Sequence, residues 1–214
     1  MKLRKITASG SLLLAALTLA ACAGGPVPPD WQAGAHASLN TFSSAYLVGN
    51  SRVAEAEFKR ARADLSRTGR ADLVARAELV RCGVRVASLE FDNCPAYAAL
   101  AQDAGAAEQA YAAFLTNQPT DAALLPPQYH GLSGSTLSAI EAPLPRLIAA
   151  GVLFNSGKLP PAGIQIAVDT ASAQGWRRPL LAWLGVQVKQ AESSGQQELA
   201  ASLRRRIELV GGQR

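Results

Sequence analysis

The sequence predicts an all-α fold, and three observations carry that prediction. Segments of helical periodicity recur from residue 51 to the C-terminus, most of them closed by a glycine and some opened by a proline. Alanine is abundant, whereas Phe, Trp and Tyr together make up only 6% of the chain; that balance suits closely packed helices better than strands. No segment alternates apolar and polar residues with the two-residue period of a half-buried strand.

Residues 1–21 read as a signal peptide. Lys2, Arg4 and Lys5 precede an apolar run from Leu12 to Ala21, and small residues lead on to Cys22. A helix of ten residues is roughly 15 Å long against a hydrocarbon core of about 30 Å, so this run is too short to span a bilayer. The basic start and Gly24-Gly25 behind it also separate it from a buried core helix.

The tetrapeptide Leu19-Ala20-Ala21-Cys22 resembles the lipobox of bacterial lipoproteins. The resemblance covers residues 1–22. It implies that the Cys22 thiol receives a diacylglyceryl group, that the preceding peptide is removed, and that acyl chains hold the protein to a membrane. Ala23 stands where an Asp commonly retains such proteins at the inner membrane. The implied address is therefore the periplasmic face of the bacterial outer membrane. Residues 22–35, rich in Gly and Pro, are expected to form a lipidated flexible tether. Trp31 within it sits either at the lipid interface or against the folded body.

Residues 36–214 are expected to make a single all-α domain. Residues 1–21 hold three of the 21 Lys and Arg and none of the 16 Asp and Glu, so the remainder carries a formal charge of +2 rather than +5. That near-balance removes the basic signature of a nucleic-acid binder. With Cys22 set aside, Cys82 and Cys94 are an even pair suited to a disulfide in an oxidising compartment, the alternative being two buried free thiols. A bridge closing so short a loop stabilises by about 3 kcal/mol in the chain-entropy description. There is no C-x-x-C spacing, and His36 and His130 are the only histidines, so no metal or cofactor is expected.

Helical patterning begins at Ser51, where Val53, Ala54, Phe58, Ala61 and Leu65 share a side and Gly69 marks the stop. From Ala71 the pattern has two apolar faces. Leu73, Ala77, Val80, Val84 and Ala87 line one and Leu79, Cys82, Val86 and Leu89 the other, leaving a narrow polar strip at Glu78, Arg81 and Arg85. A helix so apolar has neighbours on both sides and belongs at the centre. Asp92-Asn93 before Pro95 reads as a helix start, leading to a short hairpin that turns near Gly105. Residues 117–135 break the pattern with clustered Pro and Gly, as a long loop or a hinge. Four further helices follow, closed at Gly157, Gly175, Gly195 and Gly211-Gly212.

Gly49, Ala54 and Phe58 recur as Gly105, Ala110 and Phe114, and partly as Gly195 and Ala200 with Arg204 in the aromatic place. This set resembles the second half of a tetratricopeptide (TPR) hairpin; Ala61 extends it in the first copy. The copies do not keep the regular 34-residue period, and the family's Trp-Leu-Gly-Tyr pattern is missing. The resemblance implies antiparallel helical hairpins stacked as a TPR-like α-solenoid or an irregular helical bundle.

No catalytic constellation is found. Ser133 in His130-Gly131-Leu132-Ser133-Gly134-Ser135 lacks the second glycine and the preceding strand of a nucleophile elbow. Ser138 and Glu141 have capping-box spacing, which gives them a structural task. Trp176, Arg177 and Arg178 combine residue types typical of interface hot spots, or else plug a helix junction. Arg204, Arg205 and Arg206 face an anionic partner or simply favour a helix C-terminus. The expected function is a non-enzymatic, lipid-anchored periplasmic interaction module serving another envelope protein as adaptor, assembly factor or complex subunit. Two other classes stand beside it: a cell-wall enzyme or activator with a site in the His130 loop, and small-molecule or lipid binding between helices.

Overall fold

The computed structural model describes residues 29–212; Cys22 and the leader lie outside them. Nine α-helices and four short 3-10 turns occur among the described residues, with no strand. The helices are α1 (Asp30–Leu47), α2 (Ser51–Ser66), α3 (Ala71–Ala87), α4 (Pro95–Ala98), α5 (Ala106–Leu115), α6 (Pro143–Asn155), α7 (Pro161–Ala173), α8 (Arg177–Ser193) and α9 (Gln197–Gly211). Short connections make α1/α2, α6/α7, α7/α8 and α8/α9 antiparallel neighbours. No described helix is long and apolar enough to cross a membrane.

Helix α1 corrects the expected tether. It begins at Asp30, capped by Pro29, so six residues assigned to the tether are helical. Ala35, Ser38, Phe42 and Ala45 alternate at three- and four-residue intervals and are buried against α2. Trp31 packs against that same cluster, which places it on the body.

Two clusters form the core, and α3 separates them. Val74, Ala77 and Val84 pack toward α1 and α2, whereas Ala75, Leu79, Cys82, Val86 and Ala87 pack toward α5 to α9. The central position read from the two apolar faces is thus realised, although Ala87 turns to the second cluster. On that side α3 meets α6 very closely. A Cβ built on Gly151 would lie 2.3 Å from the Val86 carbonyl oxygen, so only glycine permits this crossing. Trp183, fully buried, donates its indole N–H to the Ala87 carbonyl oxygen at 3.1 Å and meets the Phe154 ring edge-on. Placing that donor and acceptor together is what lets a Trp sit in the centre.

Residues 117–135, read as a long loop or a hinge, are not detached from the body: Leu125 and Tyr129 are buried in the large cluster together with residues from both flanks. Tyr129 stacks on Tyr111 and tilts against Phe114, so the segment is a strap fastened to the body by aromatic contact. The capping box at Ser138 and Glu141 is not formed. Residues Leu137–Ala139 make a 3-10 turn, and the next helix starts later, at Pro143, with proline's fixed φ in its first turn.

The residues of the recurring Gly-Ala-Phe spacing are placed differently from copy to copy. Ala54, Phe58 and Ala61 are buried at the α1/α2 crossing, with Phe58 and Phe42 ring centroids 5.0 Å apart. Ala200 is fully buried between α8 and α9, and Arg204 turns outward to Glu192. The middle copy departs, because Gly105 follows a 3-10 turn and α5 lies on α3. The array is therefore an irregular one.

Candidate functional site

One apolar groove runs beside α3. Its wider part, about 720 Å³, lies between Trp31, Ala35 and Leu39 of α1, Leu65 of α2, and Leu73, Ala77 and Val80 of α3. Its narrower part, about 370 Å³, continues past Val80 to Ala107 and Tyr111 of α5 and to Leu124, Leu125 and Pro126 of the strap. Arg76 borders both parts and is paired with Glu108 across 2.6 Å. Arg70, at one rim, is held by two hydrogen bonds to Asp72 of 3.2 and 2.7 Å. Leu124, 42% exposed, marks the open end. Arranged this way, the groove offers hydrophobic wall with fixed charge at its edges, as a trough for an apolar helix or extended peptide requires.

The sequence explains these walls. Ala35 and Ala77 are small enough to keep α1 and α3 apart by less than large side chains would, leaving Trp31, Leu39 and Leu73 to form the sides. At Gly83 an added Cβ would lie 3.2 Å from Ile148 Cδ1, a tight approach, and 3.4 Å from the Tyr111 hydroxyl oxygen, an ordinary contact. Burial pushes the Tyr111 hydroxyl up to about 12, so the ring is a neutral wall throughout the physiological range.

A second, smaller site lies on the opposite side of α3. Cys82 and Cys94 are paired there as a disulfide with Cα atoms 5.5 Å apart. Asp92 stands beside them, its carboxylate within 4.8 Å of both sulfurs. Its Oδ1 accepts the Cys94 N–H at 3.1 Å, and its Oδ2 pairs with Arg85 at 3.1 Å. Asn93 and Cys94 both adopt left-handed backbone, φ 59° and 51°, which folds the chain back onto the helix. Paired with each other, the two sulfurs are not thiolate ligands.

The other residues singled out from sequence are placed differently. Trp176 wedges between the two core clusters and packs on both. Arg178 bonds Tyr46 and Ser51 and lies over the Tyr46 ring. These two join the N-terminal hairpin to α8, which is the helix-junction alternative read for them. Arg177 is exposed and lies over Gly49, where a Cβ would come within 2.9 Å of its guanidinium. His130 Nε2 meets the Leu125 carbonyl oxygen at 2.9 Å, and Ser133 Oγ meets Ser135 and Thr136. No hydrogen bond joins His130 to Ser133 in this arrangement. Arg204 is paired with Glu192, and Arg206 donates to Ser172.

The chain matches no family model, no curated protein and no solved structure. Function therefore rests on the geometry of these surfaces.

Proposed function

We propose that the protein is a lipid-anchored periplasmic interaction module, held at the outer membrane through Cys22, whose α3 groove receives an apolar segment of another envelope protein. The observation that carries this reading is the pair of apolar hollows that meet at Arg76 and Val80, with walls running from Trp31 to Pro126. Trp31 lies in the first turn of α1, so the groove begins where the segment from Cys22 enters the body. Seven residues lie between Cys22 and Asp30, and the eight steps from one to the other reach at most about 29 Å, which would keep the groove close to the anchoring surface.

A photoreactive residue at Leu73 tests the reading in the native cell, with Ser202 on the exposed side of α9 as the control position. The expected result is one envelope protein crosslinked at Leu73 alone, and its loss when Val80 is replaced by Asp. The same adducts from Leu73 and Ser202, or adducts from Leu73 that survive Val80→Asp, would overturn it.

A further inference from the structure

A separate hollow of about 830 Å³ lies where the end of α3 meets α6, α7 and α8. Leu89 and Phe91 after α3, Phe154 of α6 and Ile164 of α7 form its walls, and α8 forms its floor. Phe91 is 38% exposed, the one aromatic among the exposed large apolar side chains of the described residues. Its segment is nevertheless fixed: Glu90 pairs with Arg85 and Arg178, Asp92 pairs with Arg85, and Leu89 turns the backbone left-handed at φ 60°. A non-glycine residue persists in that conformation only where its surroundings hold it. The chain thus holds an aromatic wall in place without burying it.

The floor carries a second observation. Gly185 stands at the middle of α8, where glycine supports a helix less well than alanine does. Short of the terminal Gly211, the other glycines inside described helices are Gly34, Gly83, Gly151 and Gly163, and at each a Cβ would lie 3.3 Å or less from a neighbouring atom. At Gly185 a Cβ would meet nothing within 4 Å. No packing within the chain calls for this glycine, and the bare backbone it leaves lines the hollow. Glycine in such a place lets a ligand come close to the backbone.

Charge distinguishes the two ends. Glu90 faces Arg178 in the first turn of α8, so the segment carrying Leu89 and Phe91 stands at the start of that helix. Toward its end the lining turns polar, with Lys189, Gln190 and Ser193. Lys189 is the only charged residue lining the hollow, and it makes no hydrogen bond or ion pair among the described residues. Leu181 and Lys189 are about 12 Å apart along the helix. The volume lies within the range of small-molecule sites, which combine apolar walls with a few orienting polar groups. A cationic ligand would face the ammonium, and a wholly apolar one would leave it unmatched.

We propose that this hollow binds a single-chain fatty acid. The tail lies over Gly185 against Phe91 and Phe154, the carboxylate pairs with Lys189, and the Gln190 amide donates to it. The site does not depend on the α3 groove.

The test follows the Val186 amide resonance of the full chain by NMR as dodecanoate is added below its micelle concentration, with dodecanol and dodecylammonium as neutral and cationic counterparts. Dodecanoate is expected to shift that resonance saturably, each methylene from octanoate to dodecanoate tightening binding about fourfold. Lys189→Gln removes an exposed, unpaired charge and keeps the fold; it is expected to weaken dodecanoate about tenfold and to leave dodecanol unchanged. Gly185→Leu fills the floor where an added Cβ meets no neighbour; it is expected to abolish the shift without lowering the thermal midpoint. No saturable shift, dodecanol or dodecylammonium binding as tightly as dodecanoate, or full affinity in either variant would each overturn the proposal. So would a Val186 shift on raising the protein concentration alone, which assigns the face to a second copy, or tighter binding of an acidic amphipathic peptide than of dodecanoate, which assigns it to a protein partner.

Discussion

Arg178 lies over the ring of Tyr46, its guanidinium carbon 4.2 Å from the ring centroid, and its Nε donates to the Tyr46 carbonyl oxygen at 2.9 Å. The same guanidinium donates to Ser51 Oγ at 2.7 Å and faces Glu90 Oε1 at 3.5 Å. One side chain on α8 thereby ties the end of α1, the start of α2 and the segment after α3. Replacing it by Ala should destabilise the chain by about 2–3 kcal/mol, since a charged hydrogen bond and a cation–π contact are lost together. Lys restores only a minority of that loss, lacking the planar fork. Urea unfolding of the two variants measures both values.

Two helical glycines should respond to alanine with opposite signs. At Gly151 the added methyl meets the Val86 carbonyl oxygen at 2.3 Å, so α6 must move off α3 at a cost of about 1–3 kcal/mol. At Gly185 of α8 nothing lies within 4 Å of the added carbon, so the helix gains about 0.5–1 kcal/mol from alanine's propensity. Thermal unfolding of the pair, compared with the parent chain, reads the signs directly.

Trp183→Phe should cost about 2–4 kcal/mol. The exchange removes ring volume from a fully buried position and leaves the Ala87 carbonyl oxygen without its indole donor. Because Ala87 ends α3, the expected signature includes faster amide exchange in the last turn of α3 and not only a lower midpoint. An unchanged exchange pattern would disprove the link.

All four tyrosines have hydroxyl pKa values raised in the fold, first by burial, with Glu90 adding at Tyr46 and Glu108 at Tyr97. The neutral phenol is thus favoured in the native state. Below about pH 10 both native and unfolded tyrosines are protonated, and stability is unaffected. As pH rises from 10 toward 12, the unfolded chain releases these protons first, so stability falls. Absorbance at 295 nm should show little phenolate in the native protein at pH 10.5 and a large step on adding denaturant.

Opening the Cys82–Cys94 pair should cost about 3 kcal/mol, as for a short closed loop. Thiol titration of the unfolded, unreduced chain should find neither of these two cysteines reactive. The double Ser variant should unfold at lower urea than the parent.

Much of this architecture was legible because local signals and packing agree. Glycine stops marked the ends of α2, α7 and α8, and the two apolar faces of α3 announced a central helix. Helix α1 was hidden by its composition: Gly34, His36, Ser38, Asn40 and Thr41 are poor helix formers, and the buried Ser38 reads as a surface residue. Its stability comes from Phe42 and Ala45 against α2, a tertiary term that no local window contains. Trp176 and Arg178 were ambiguous for a related reason. Residues rich in contact energy serve an internal junction as well as an interface, and only the 132-residue reach from Arg178 to Tyr46 distinguishes the two. The burial of Glu78 was likewise out of sight, since it sits in a charged strip yet is covered by Arg62.

Intact mass spectrometry of the protein purified from its native membrane tests the central claim, that this helical body is tethered through Cys22, most directly. The account predicts a chain beginning at Cys22 whose mass exceeds that of residues 22–214 by a diacylglyceryl group and an acyl chain. Recovery of residues 1–214 with a free thiol at Cys22 would contradict it.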